Sequence, residues 1–130
     1  MITTHPETFS SFLFDLDGTL ADTAPDLVAA LNAVLVEENR SETTLEKARH
    51  WAAGGSGRLV KNGFGISSAD LDFPRLRQAL LDHYTEHLCV ETQLFPGIDA
   101  LLRDIEARNC PWGIVTNKPS FLTDPLLRLL

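Results

Sequence analysis

At 130 residues, 44% of them hydrophobic and 22% charged, the chain can bury one modest core with an appended lobe but not two large domains. It carries no apolar run long enough to span a bilayer, and a net charge of −7 argues against general affinity for nucleic acid or anionic membranes. Met1–Ser10 lacks the basic start and continuous apolar segment of a secretory signal, and Cys89 and Cys110 stand outside any metal-type spacing. Both features point to a reduced, cytoplasmic protein.

In chain order, Phe12, Leu13 and Phe14 form a short apolar run that predicts a buried parallel strand, and it ends in Asp15-Leu16-Asp17-Gly18-Thr19-Leu20. A helix follows, with Asp22 or Thr23 as its cap, Pro25 in its first turn and one stripe of Leu27, Val28, Leu31, Val34 and Leu35. Thr43 and Glu46 have the spacing of a capping box ahead of Leu45, Ala48 and Ala52. Leu76, Leu80, Leu81, Tyr84 and Leu88 make a further stripe. Residues 21–90 are thus expected to be a helical insertion, and residues 1–20 with 91–130 an α/β core. Pro96-Gly97 opens another helix, with Ile98, Leu101, Leu102 and Ile105 on one face and Asn109 at its close. Trp112 to Val115 reads as a second strand, ending in Thr116-Asn117-Lys118. Helix followed by strand suggests a doubly wound α/β sheet, whose ligands gather at the carboxyl ends of the strands. Asp15, Asp17, Thr116 and Asn117 would then meet there.

Two carboxylates and a hydroxyl at a strand end suit phosphoryl transfer. Asp15 can attack phosphorus to give an aspartyl-phosphate, which divides one difficult hydrolysis into two displacements. Asp17 can protonate the departing alkoxide and later take a proton from the attacking water. The phosphoryl oxygens call for a hard divalent cation, pointing to Mg²⁺ shared by Asp15, a backbone carbonyl and the substrate. Gly18 permits close backbone approach, and Thr19 can donate to the phosphoryl group. Alone, Asp17-Gly18 would equally suit a hairpin turn, and Thr116-Asn117 a helix cap. The whole string after an apolar strand favours catalysis.

On the strings Phe14-Asp15-Leu16-Asp17-Gly18-Thr19-Leu20-Ala21-Asp22-Thr23, Leu94-Phe95-Pro96-Gly97 and Ile114-Val115-Thr116-Asn117-Lys118-Pro119, the chain resembles the haloacid dehalogenase superfamily, in its phosphoglycolate phosphatase-like branch. The resemblance implies a Rossmann-like three-layer α/β/α core, present in part, with an inserted helical cap. It implies Asp15 as nucleophile, Asp17 as general acid/base and Mg²⁺ contact through its carbonyl, and Thr116 with the Asn117 amide as phosphate ligands. Superfamily dehalogenases lack the second acid, so Asp17 favours ester hydrolysis. Gly54-Gly55-Ser56-Gly57-Arg58 is similar to the cap segment that faces the site, which would bring Gly55, Ser56 and Arg58 to the substrate; a flexible glycine-rich turn is the equal alternative.

Members of the superfamily continue into strands that carry a phosphate-binding lysine and an acidic pair, so the resemblance leads to the expectation of a C-terminally truncated chain. Lys118 and Arg128, the cations after Thr116, are not expected to replace that lysine. The leading function is Mg²⁺-dependent hydrolysis of a small phosphorylated metabolite such as phosphoglycolate. A sugar phosphate such as N-acetylmuramic acid 6-phosphate is the rival substrate, and a phosphomutase or an inactive remnant serving as an interaction module are the other readings. An exposed sheet edge would also invite a homodimer.

Overall fold

The computed structural model describes residues 10–130; the reading of Met1–Ser10 as lacking a signal lies, Ser10 apart, outside them. Strand β1, Phe12–Phe14, leads through a tight loop into a second strand, β2, Ala21–Asp22. Four helices follow: α1, Ala24–Glu37; α2, Leu45–Ala52; α3, Gly55–Phe64; and α4, Phe73–Glu86. The chain returns through β3, Gln93–Leu94, and ends in α5, Ile98–Ala107, β4, Trp112–Ile114, and α6, Ser120–Leu129. This mixture of helix and strand is an α/β fold.

β1 and β4 pair in parallel, with Phe12 opposite Trp112 and Phe14 opposite Ile114. The Val115 amide extends the ladder to the Phe14 carbonyl at 2.8 Å. Both strands therefore end at the same edge, and the loops that leave them are neighbours. The expectation of a buried β1 needs correction, because Leu13 is 69% exposed. Among the described residues β1 has one strand neighbour, β4. β2 and β3 pair antiparallel. Residues 21 and 22 are thus strand rather than the start of the helical stretch, and the pair forms a stem where the chain enters and leaves the four helices.

Helix α1 forms the middle of the helical part and packs against α2, α3 and α4. Its predicted stripe is buried, with Leu31 and Val34 almost fully covered, facing Leu59, Val60, Leu80 and Tyr84. Each such side chain contributes about 1.5–3 kcal/mol by leaving water. At Gly63 the α3 backbone comes so close that a Cβ would lie 2.8 Å from Leu31 Cδ1. Both α1 and α5 stop in the way the sequence suggested for α5: Asn39 and Asn109 take left-handed φ values of 58°. At α5 the Asn109 and Cys110 amides donate back to the Glu106 and Ile105 carbonyls, which satisfies the last turn.

Two caps differ from expectation. The α2 cap is Thr44, whose hydroxyl accepts from the Lys47 amide. Thr43 is instead held by Asn32, whose side chain accepts from the Thr43 amide and donates to its carbonyl. Thr23 caps α1 by position, but its hydroxyl makes no cap bond; it is used in the site described below. The stem is braced by Asp26, 3% exposed in the first turn of α1. Its Oδ2 accepts from the amides of Val90, Glu91 and Thr92 and from the Thr92 hydroxyl. No helix among the described residues is long and apolar enough to cross a membrane.

Candidate active site

The loop after β1 is shaped by its apolar residues. Leu16 and Leu20 are 0% and 2% exposed and anchor it in the core. The Leu16 carbonyl accepts the amides of Thr19, Leu20 and Ala21, which closes the loop into a knot. Gly18 sits at φ +78°, with open space where a Cβ would stand, so backbone conformation rather than crowding calls for glycine there. Alternation of buried leucines with outward carboxylates sends Asp15 and Asp17 toward the β4 edge.

Asp15 is exposed, and its Oδ1 accepts from the Leu16 amide at 2.9 Å. No donor among the described residues reaches Oδ2. Asp17 Oδ1 accepts twice, from Thr23 Oγ1 at 2.7 Å and from Lys118 Nζ at 2.9 Å. Oδ2 of this carboxylate has no donor among the described residues either. Each acid therefore has one oxygen fixed and one available.

Lys118 leaves the loop after β4 and has a side chain only 6% exposed. Its ammonium also donates to the Tyr84 hydroxyl at 2.7 Å and lies 4.6 Å from the centre of that ring. Tyr84, on α4, is 0% exposed. Burial, and secondarily the Asp17 carboxylate, push its phenol well above the usual tyrosine range. Asp17, Lys118 and Tyr84 thus form a chain of contacts from the β1 loop, across the β4 loop, to the helical part.

A cleft of about 370 Å³ opens beside this chain, a size suited to a small metabolite. Asp15, Asp17, Asn117 and Lys118 form one wall; Ala53, Gly54, Gly55, Ser56, Gly57, Arg77 and Tyr84 form much of the other. Gly55 and Ser56 line it as the sequence suggested. They do so from the first turn of α3, with Gly54 as its cap, so the segment is ordered helix rather than a flexible turn. Arg58 is not among the lining residues. Its side chain lies over Gly54, where a Cβ would come within 2.1 Å of Arg58 Cδ, and Arg77 of α4 lines the cleft instead. Gly18, Thr19 and Thr116 also stand outside the lining: the Thr19 amide is bonded to the Leu16 carbonyl, and Thr116 Oγ1 accepts from the Lys118 amide at 3.1 Å. Sequence reasoning set Lys118 aside and read Tyr84 as one member of an apolar stripe. The available signal was a tyrosine, with a polar tip that burial obliges to find a partner.

No group of three or more His, Cys, Asp or Glu side chains gathers among the described residues. Hard oxygens that suit a divalent cation are present in the Asp15 carboxylate, where a single amide bonds Oδ1, and in the Asp17 main-chain carbonyl, which no donor among the described residues engages.

The model of the haloacid dehalogenase-like hydrolases matches residues 12–130. The chain belongs to this family. It is 38% identical over 118 residues to an N-acetylmuramic acid 6-phosphate phosphatase of Pseudomonas aeruginosa, a match covering 91% of this chain and 52% of that protein. It is 41% identical over 119 residues to a phosphoglycolate phosphatase of Xanthomonas campestris pv. campestris, covering 88% and 52%. The chain spans about half the length of these curated relatives. Among solved structures it resembles a predicted phosphoglycolate phosphatase from Haemophilus somnus, with a TM-score of 0.77 and 27% identity over 94% of this chain and 57% of that one. A second, from Lactobacillus delbrueckii, has a TM-score of 0.81 at 22% identity, over 94% and 60%, and bears on the fold alone.

Proposed function

We propose that this chain carries the nucleophile and the general acid/base of a phosphatase that hydrolyses a small phosphomonoester through an aspartyl-phosphate. The observation that carries the reading is the meeting of Asp15 and Asp17 at the cleft, each with one carboxylate oxygen fixed and one available. In the first step Asp15 Oδ2 attacks phosphorus as the ester P–O bond breaks, and Asp17 Oδ2 gives its proton to the leaving alkoxide. In the second, Asp17 takes a proton from the water that attacks phosphorus, and the Asp15 P–O bond breaks to release inorganic phosphate.

Asp15 Oδ1, which accepts one amide and keeps a second lone pair, and the Asp17 carbonyl are the oxygens on this chain that would hold Mg²⁺ while Oδ2 is left for attack; the ion would supply charge neutralisation for the phosphoryl oxygens. Asn117, which lines the cleft, is the proposed phosphate ligand, with Gly18 and the Thr19 and Thr116 hydroxyls, on the two loops outside that lining, completing the cradle once phosphate is bound, and Gly55 and Ser56 meet the leaving group. Residues 21–90 act as a cap over residues 1–20 and 91–130, and the protein works in the cytoplasm. Phosphoglycolate is the first substrate, and the similarity to an N-acetylmuramic acid 6-phosphate phosphatase supports that sugar phosphate as the second. Phosphate release from both esters, with and without Mg²⁺, tests the reading. Turnover lost in Asp15→Asn is the expected result; turnover undiminished in that variant would remove Asp15 from the mechanism.

A further inference from the structure

We infer that Lys118 is a positioning residue that couples the orientation of Asp17 to the seating of helix α4. The phosphatase reading underlies the kinetic consequence of this inference, while the contact itself is independent of it. Three elements distant in sequence converge on one ammonium: Asp17 from the β1 loop, Lys118 from the β4 loop and Tyr84 from α4. The ammonium is nearly withdrawn from water, with the Lys118 side chain 6% exposed, and its two bonds measure 2.9 and 2.7 Å. A buried ammonium with two acceptors and an aromatic face beneath it is held in one place.

The consequence for Asp17 is geometric. Lys118 and Thr23 both bond Oδ1, which fixes the carboxylate plane and leaves Oδ2 as the oxygen that exchanges the proton. Thr23 follows β2 directly at the entry to α1, six residues from Asp17 in the chain. Lys118 has its other anchor on α4, so when α4 lifts from the site the ammonium loses the Tyr84 oxygen and its fixed position. Asp17 is then aligned only while the helical part is seated, which confines proton delivery to the closed cleft. This differs from a phosphate-binding role for Lys118, which would act on substrate affinity instead of alignment.

Tyr84 is the sole tyrosine of the sequence, so protein labelled with 3-fluorotyrosine gives one fluorine resonance that reports the Lys118 contact without any need for turnover. Lys118→Met should shift that resonance, and Asp17→Asn should shift it less, through the ammonium. A resonance unmoved in a folded Lys118→Met protein would overturn the contact. Wild-type protein with no phosphatase activity would instead sink the functional reading and leave the fluorine result standing.

The kinetic arm distinguishes alignment from binding. Lys118→Met should lower kcat by on the order of 10- to 100-fold with KM little changed, as misplaced acid/base groups do. Lys118→Arg should restore part of kcat, and Tyr84→Phe should lower it less than Lys118→Met. The double variant Lys118→Met/Tyr84→Phe should be no slower than Lys118→Met, because the two act through one contact. A raised KM with unchanged kcat in Lys118→Met, or additive effects in the double variant, would overturn the proposal.

Discussion

Replacing Asp26 with Asn tests whether the stem between β2 and β3 is held by one buried carboxylate. Its Oδ2 accepts the Thr92 hydroxyl at 2.6 Å and the Val90, Glu91 and Thr92 amides at 2.9–3.0 Å. Val90 and Glu91 are exposed, so water can replace the carboxylate at their amides; the two Thr92 bonds are buried. Hydrogen bonds to a charged group contribute about 1.5–3 kcal/mol each. An amide in place of the carboxylate loses the charge and can turn an N–H toward a donor. Asp26→Asn should therefore destabilise the fold by about 2–4 kcal/mol, and Thr92→Val, which removes the hydroxyl bond at matched shape, by about 1–2 kcal/mol. Urea unfolding followed by far-ultraviolet circular dichroism gives the measurement. With a slope of about 2 kcal/mol per molar, the Asp26→Asn midpoint should fall by about 1–2 M. The double variant should cost less than the sum of the two, since both disturb one network. A midpoint within about 0.2 M of wild type would refute the brace, and strict additivity would refute the shared carboxylate.

The α1–α3 approach and the buried phenol make two further predictions. Gly63→Ala places a Cβ 2.8 Å from Leu31 Cδ1 in a packed core, and should cost about 1–3 kcal/mol in the same urea titration; a stabilised protein would show that α3 can move away freely. Tyr84 keeps its proton in the folded state well above the usual tyrosine range, whereas the unfolded chain releases it near pH 10. The unfolded state thus binds fewer protons above that pH. The stability tied to the neutral phenol is complete below about pH 10 and is lost by up to about 1.4 kcal/mol per pH unit above it, until the folded phenol ionises. Subtracting the stability of Tyr84→Phe from that of wild type at each pH should isolate this decline, and a flat difference from pH 9 to 11 would contradict the burial argument.

Much of this architecture is legible in the chain, and the exceptions share a cause. β1, β4, α1, α4 and α5 announce themselves because each carries one apolar stripe or run at its own period, although Leu13 of β1 and Leu101 of α5 are exposed. β2 and β3 are two residues each, too short for a period to exist. The Asp15 and Asp17 pair is readable because a strand end, two acids, a glycine and a threonine stand together. Lys118 is not, since its bonds to Asp17 and Tyr84 join positions 101 and 34 residues apart, and a lysine after a strand is ordinarily a solvated cation. Asp26 is hidden for the same reason, with partners 64 to 66 residues away. Thr23 reads as a helix cap because serine and threonine hydroxyls ordinarily accept from the first amides; here the hydroxyl donates to the Asp17 carboxylate at 2.7 Å and makes no cap bond, a charge-assisted contact to a residue the cap pattern does not include. Arg58 and Arg77 illustrate the limit for long side chains: a position near the cleft does not decide where the guanidinium goes.

The central claim is a covalent phosphoryl group on Asp15, and the most direct test is to trap it. The protein is mixed with phosphoglycolate and Mg²⁺, quenched in acid, reduced with borohydride and digested, so that an aspartyl-phosphate is read by mass spectrometry as homoserine at position 15. The account predicts conversion at Asp15 alone, dependent on Mg²⁺, and absent in Asp15→Asn. Phosphate release with Asp15 unmodified under the same quench, or homoserine at another aspartate, would contradict it.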